Sequence, residues 1–73
     1  MLTKQTALID GREWLLEPRP VTARWAARLA AAGCRAELWS VRTLATDDDR
    51  PTRYGWAAPA KTTGELRLLS VAG

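Results

Sequence analysis

In the first part of the chain, an Asp-Gly pair separates two short apolar segments. Residues 6–9 and 13–16 form two apolar runs, with Asp10 and Gly11 between them. This pattern indicates a β-hairpin, because both central residues of its tight turn need positive φ. A three-residue loop would align Leu8 with Trp14, which leaves the register open. A two-residue loop would instead bring four apolar side chains to one face: Ala7, Ile9, Trp14 and Leu16.

The next segment has the spacing of an amphipathic helix. Pro18 and Pro20 are expected to end the hairpin and to open the helix, since proline suits a first helical turn. Gly33 is expected to cap its C-terminus. Arg24 and Arg28, four residues apart, lie on a flank of the apolar stripe. The stripe itself recurs at helical spacing: Val21, Trp25, Leu29 and Ala32.

The rest of the chain favours strands. Residues 35–45, 52–56 and 66–71 are β-prone, and Gly55 weakens the second of these segments. Residues 46–51 have turn chemistry, and residues 57–64 are predicted to form a loop. The order is hairpin, helix, then two or three strands. We therefore expect an α+β fold, a single domain over residues 1–73, with one helix packed on an antiparallel sheet.

Composition favours binding over catalysis. The chain has four tryptophans, one cysteine and no histidine. Histidine is the side chain most often used for proton transfer near neutral pH and as a metal ligand. The serines, Ser40 and Ser70, fall in predicted strands with no histidine to activate them. Tryptophan, in contrast, is enriched at binding hot spots. We expect a protein that is not an enzyme and that holds no cofactor.

Two remaining features have structural interpretations. Cys34 follows the predicted helix cap, where the helix dipole disfavours a thiolate, so a buried packing role is expected. Asp47, Asp48 and Asp49 form an acidic cluster whose spacing does not match an EF-hand loop. A charged turn is the favoured interpretation, and no metal site is predicted.

The basic charge is uneven along the chain. The net charge is +3, and residues 18–36 contain no acidic residue. Such a stretch suits phosphate or an acidic protein surface, although solvated arginines would look the same. Trp56, beside Arg53 and Tyr54 on a strand that could form a sheet edge, is the tryptophan predicted to be partly exposed, whereas Trp25 is predicted to be in the core. The candidate partner-binding residues are Arg19, Arg24, Arg28, Arg35, Arg53 and Trp56.

Taken whole, the chain resembles the small transcription regulators of lytic Xanthomonas bacteriophages that bind the host RNA polymerase. The resemblance extends over the full length, from residues 1–6 through 10–14 to 71–73, and rests on overall sequence and size. It implies binding near the β′ amino terminus and the β flap, inhibition of initiation, and antitermination with the elongation factor NusA as a functional partner. No short motif exists to map, so the resemblance assigns no binding residue.

Two functional hypotheses remain at this point. The first is a polymerase-binding regulator, expected to act as a monomer in the cytoplasm of the infected host. No membrane span is expected, because the longest apolar stretch is far below the ~18 residues that span a bilayer. The second is a small basic module that binds nucleic acid directly through the 19–35 segment. A sheet whose aromatic residues stack on bases is a further form of the second hypothesis.

Overall fold

The computed structural model describes residues 5–43 and 52–72. This part of the chain contains five strands and one helix. In chain order they are β1 (Gln5–Ile9), β2 (Arg12–Arg19), α1 (Ala23–Ala31), β3 (Leu38–Thr43), β4 (Tyr54–Pro59) and β5 (Leu66–Ala72). The expected α+β class holds broadly, but strands dominate and the helix is short. The predicted turn at residues 46–51 lies outside the described residues.

The strands form one antiparallel sheet in the order β1-β2-β3-β4-β5. Each strand therefore pairs with its neighbour in sequence, and the crossover from β2 to β3 carries α1. The sheet curls far enough for β1 and β5 to approach each other. One face of the sheet points into this curl, and the other face carries the helix.

The hairpin has the two-residue turn. Ile9 pairs with Arg12 and Ala7 with Trp14. Asp10 and Gly11 have φ of 53° and 79°, as this tight turn requires. The predicted apolar face is confirmed, because these side chains line the curl together with residues from β3 and β4. The buried members of this inner cluster are Ile9, Trp14, Leu16, Val41 and Ala57.

A second cluster fixes the helix to the outer face of the sheet. Thr22 caps the helix by accepting a hydrogen bond from the Trp25 backbone N–H at 3.3 Å. Leu29, only 1% exposed, is the most buried residue of the helix. It packs with three other buried side chains: Cys34, Leu38 and Ala58.

Two proline-based boundaries were wrong. β2 continues through Pro18, which pairs with Trp39, and ends at Arg19. Among residues 5–43 and 52–72, the pairing of Pro18 is with Trp39 of β3, and a strand accepts a proline where the ladder does not need its missing N–H. β4 likewise continues to Pro59, at its last position, through residues that were predicted to form a loop.

The tryptophans match the expectation only in part. Trp14, at 3% exposed, is the deeply buried one, and its indole Nε1 has no hydrogen-bond partner among the described residues. Trp25 is half-buried and packs against the helix cluster. Trp56 is half-buried, which agrees with its predicted partial exposure, but β4 lies between β3 and β5 rather than at the sheet edge. Its partial exposure therefore has another cause, which lies in how little of the outer face the helix covers.

Candidate functional site

The outer face of the sheet is covered by the helix at one end only. Leu29 covers Leu38 and Ala58, and the strands then continue beyond the helix. Because cross-strand partners point to the same side, the pairing register defines the uncovered part as two rows of side chains. We call these two rows the open face. One row is Leu15, Arg42 and Tyr54, and the other is Glu17, Ser40, Trp56 and Ser70.

The open face forms the floor of a groove of about 400 Å³. Its side chains are partly or largely accessible, and Tyr54 is 57% exposed. This volume falls within the range of about 300–1,000 Å³ typical of ligand-binding clefts. The groove therefore combines apolar surface with a few polar groups: the Arg42 guanidinium, the Glu17 carboxylate and two hydroxyls.

An aromatic stack joins the open face to the helix. The Trp56 and Trp25 ring centroids are 5.2 Å apart with the planes tilted by 47°. This separation lies within the usual range for favourable aromatic pairs. On the helix, the Arg28 Cζ lies 4.8 Å from the Trp25 ring centroid, which is a cation–π contact. Arg28, Trp25 and Trp56 are therefore held together although they come from different parts of the chain.

The helix presents two arginines to solvent. Arg24 and Arg28 are both exposed and lie one helical turn apart on the same side. Arg28 also stands in the last turn, where a positive charge is favourable for the helix dipole. We call this pair the arginine flank. The arginine flank lies next to the Trp25–Trp56 contact, which joins the helix to the sheet.

The six residues singled out from sequence do not form one patch. Trp56 and Arg28 are brought together through Trp25, with Arg24 one turn away. The others are placed elsewhere, as described next.

Arg19 is at the end of β2, opposite Leu38. Arg35 lies beyond the helix C-terminus, and its guanidinium is close to Gly64, where an added Cβ would lie 3.4 Å from Nη1. The Arg53 carbonyl accepts a hydrogen bond from the Thr43 backbone N–H, and the Arg53 N–H donates one to the Thr43 hydroxyl. Arg53 precedes Tyr54, so strand alternation directs it away from the open face.

Sequence reasoning missed most of the open face. Tyr54 could have been found, because it lies two positions before Trp56 and therefore shares its side of the strand. Arg42 could not, because its place beside Tyr54 depends on the register between β3 and β4. Only strand pairing brings the remaining members of the open face together: Leu15, Glu17, Ser40 and Ser70.

Cys34 is buried, as expected, at 5% exposed, and its Sγ lies 3.9 Å from the Ala32 carbonyl oxygen. The cluster Asp47, Asp48 and Asp49 falls outside the described residues. Within residues 5–43 and 52–72, no three histidine, cysteine or acidic side chains are grouped as metal ligands would be. Among these same residues, no helix has the length and apolar character needed to cross a membrane.

Comparison of the chain with protein-family models, with curated proteins and with solved structures finds no match in any of the three.

Proposed function

We propose that this protein is a non-catalytic bacteriophage regulator that binds the host bacterial RNA polymerase, inhibits initiation and promotes antitermination. The proposal places the contact near the β′ amino terminus and the β flap, with NusA as a functional partner. Its basis in the sequence is the full-length resemblance to polymerase-binding regulators of Xanthomonas phages. Its basis in the structure is the arginine flank.

The observation that carries the proposal is the contact that holds Arg28 of this flank against the aromatic pair. Arg28 is held over Trp25, which in turn packs on Trp56 of the sheet. Arginines held in this way lose less side-chain freedom on binding than arginines on an unsupported surface. Tryptophan and arginine are also the residue types most enriched at interface hot spots. The flank thus suits contact with an acidic protein surface.

The charge around the flank supports such a contact. Residues 18–36 contain no acidic residue, so no nearby carboxylate in sequence weakens the positive field. A field of this kind speeds association with an acidic partner and makes the association rate depend on salt. Arginine can also bind carboxylates through two parallel hydrogen bonds.

The test is capture of purified RNA polymerase by the immobilised protein. The wild-type chain should retain the polymerase, and Arg24→Glu with Arg28→Glu should weaken retention by at least about 10-fold, because like charges would then face each other. The matched control is Arg12→Glu with Arg53→Glu. It makes the same change in net charge at two exposed residues away from the helix, and it should retain the polymerase.

Function is measured in two transcription assays. In a promoter assay the wild-type protein should reduce initiation, and in a terminator assay with NusA it should increase readthrough. Both effects should fall in the flank variant and persist in the control. Full activity of a folded flank variant would remove the flank from the proposal, and failure of the wild-type protein to retain polymerase would contradict the proposed function.

The alternative is direct binding of nucleic acid through the 19–35 segment. Under that alternative a gel shift with free DNA or RNA should show binding that weakens when Arg19 and Arg35 are replaced by glutamine. The two hypotheses are separated because polymerase capture does not require any free nucleic acid.

A further inference from the structure

We infer that the open face binds single-stranded nucleic acid, with neighbouring bases stacked on Tyr54 and Trp56 and a phosphate beside Arg42. This site is on the sheet, not on the 19–35 segment, and it does not depend on the proposed binding of RNA polymerase. It follows from the spacing of the aromatic residues, the charge of the face and the position of its hydroxyl groups.

The aromatic spacing suits two bases of an extended strand. Tyr54 and Trp56 are two positions apart on β4, which separates their Cα atoms by about 6.7 Å on the same side of the sheet. Trp56 is fixed by its contact with Trp25, whereas Tyr54 is 57% exposed and has a free ring surface. Aromatic side chains on an open sheet are a recurring platform for unpaired bases, because every base has a π-face.

The charge of the face suits a phosphate between these bases. Arg42 is exposed and lies directly opposite Tyr54 on the neighbouring strand. Within the two rows of the open face, the described carboxylate is Glu17, which is two strands away from Trp56, a separation of about 9–10 Å, while Glu13 stands on the same side of β2 beyond Leu15. Arg28, which contacts the Trp25 side of the aromatic stack, adds positive charge at the helix end. Arg42 is therefore one strand away from Tyr54, whereas Glu17 is two strands away from Trp56.

The hydroxyl groups of the face can contact base edges. Ser40 and Ser70 pair with Trp56 from its two sides, one on β3 and one on β5. A serine hydroxyl both donates and accepts hydrogen bonds, so it can pair with donor or acceptor atoms of any base. This predicts binding with little sequence preference.

A single strand fits this face better than a duplex. Stacking on Tyr54 and Trp56 requires the faces of the bases, which are buried within a double helix. The groove is also lined by strand residues, so that no element projects from it as a groove-reading helix does. Oligonucleotides without secondary structure are therefore the appropriate probes.

The test measures binding of labelled 12-nucleotide oligo(dT) and oligo(U), with a 12-base-pair duplex as comparison, by fluorescence anisotropy at 50 mM salt. Both single strands should bind at least about 10-fold more tightly than the duplex and should quench tryptophan fluorescence, since Trp56 is part of the site. With about two phosphates contacted, by Arg42 and Arg28, log K should fall with log salt with a slope of about −1.4.

The variants locate the site. Tyr54→Ala should weaken binding by about 5-fold to 150-fold, the range for loss of one base-stacking contact, and Tyr54→Phe should restore it. Leu8→Ala is the matched control, because Leu8 is an apolar residue 75% exposed and lies outside the groove. Arg42→Gln should weaken binding and reduce the salt slope by about 0.7. Arg53→Gln, with the same loss of charge on the other side of the sheet, should leave both nearly unchanged.

Each possible outcome is decisive. Absence of oligonucleotide binding by the folded protein, equal binding of the duplex, or binding insensitive to Tyr54→Ala and Arg42→Gln would overturn the inference. Loss of polymerase retention by Tyr54→Ala without any oligonucleotide binding would also overturn it and would make the open face a protein-docking surface. Oligonucleotide binding by a protein that does not retain polymerase would support the inference and contradict the proposed function instead.

Discussion

Replacing Gly55 with alanine should reveal how tightly β4 and β5 are joined beside the open face. The backbone of β5 lies against Gly55, which stands close to a bulge between Trp56 and Ala57. A Cβ at this position would overlap the Ser70 carbonyl oxygen and would lie 3.2 Å from the Val71 Cα. Because both neighbours are backbone atoms, no change of side-chain rotamer can relieve the overlap.

The magnitude follows from the movement that the added methyl group requires. β5 must shift away from β4, and inserting a methyl group into a close-packed region typically costs about 1–3 kcal/mol. Weakening one or two hydrogen bonds of the ladder adds about 1 kcal/mol each. A domain of this size has only about 3–5 kcal/mol of stability in total. Gly55→Ala should therefore remove half or more of the free energy of unfolding.

The assay is urea denaturation followed by tryptophan fluorescence, with Gly11→Ala as the control. Gly11 has nothing within 4 Å of an added Cβ, but its φ of 79° is unfavourable for alanine, which costs about 1–2 kcal/mol. Gly55→Ala should unfold at a clearly lower urea concentration than Gly11→Ala. A Gly55→Ala protein as stable as Gly11→Ala or more stable would refute the close approach of the two strands.

Three further predictions concern the packed residues. Trp25→Ala should destabilise the fold by about 3 kcal/mol, the lower end of the range for large aromatic residues, because Trp25 is only half-buried. Circular dichroism should then show a protein near its unfolding midpoint. A stable fold with lost polymerase binding would instead make Trp25 an interface residue. Trp14→Ala should cost more, about 4–5 kcal/mol, and should leave the chain largely unfolded by the same measurement, while a folded variant would contradict its central place in the inner cluster. Cys34→Ser should cost at most ~1–2 kcal/mol in urea denaturation and leave polymerase binding intact. In the wild-type protein, the Cys34 thiol should react with a thiol reagent much more slowly in the folded state than in the unfolded state, and rapid reaction of the folded protein would contradict its burial.

The sequence predicted those parts of the fold that depend on local chemistry. The Asp10-Gly11 turn and the apolar faces beside it were correct because tight-turn geometry and strand alternation are both local. The helix was also identified, with Thr22 rather than a proline at its N-cap and Gly33 just beyond its C-cap. In these segments, the same residues that form the element also determine its position.

The errors arose where a distant strand decides the outcome. Pro18 was expected to end β2, but its pairing with Trp39 on β3 carries the strand on to Arg19. Gly55 was interpreted as a weakness in a strand, whereas the close backbone of β5 requires a residue without a Cβ. Neither reason is visible without the pairing of strands that are far apart in sequence.

The candidate site shows the same division. Arg24 and Arg28 were predicted from helical spacing, and the structure places both on the exposed side of the helix. The contact of Trp25 with Trp56 and the position of Arg42 beside Tyr54 depend on long-range packing and register. Local sequence therefore identified the basic helix and missed the groove beside it.

The most direct test of the proposed function is the association rate of the purified protein with purified RNA polymerase holoenzyme, measured at 50 mM and 200 mM salt. We predict that the wild-type protein and the Arg12→Glu with Arg53→Glu control both bind, with association rates that fall as salt is raised. For Arg24→Glu with Arg28→Glu, we predict a slow association rate that no longer falls as salt is raised. Absence of binding by the wild-type protein, or identical rates for all three folded proteins at both salt concentrations, would contradict this account.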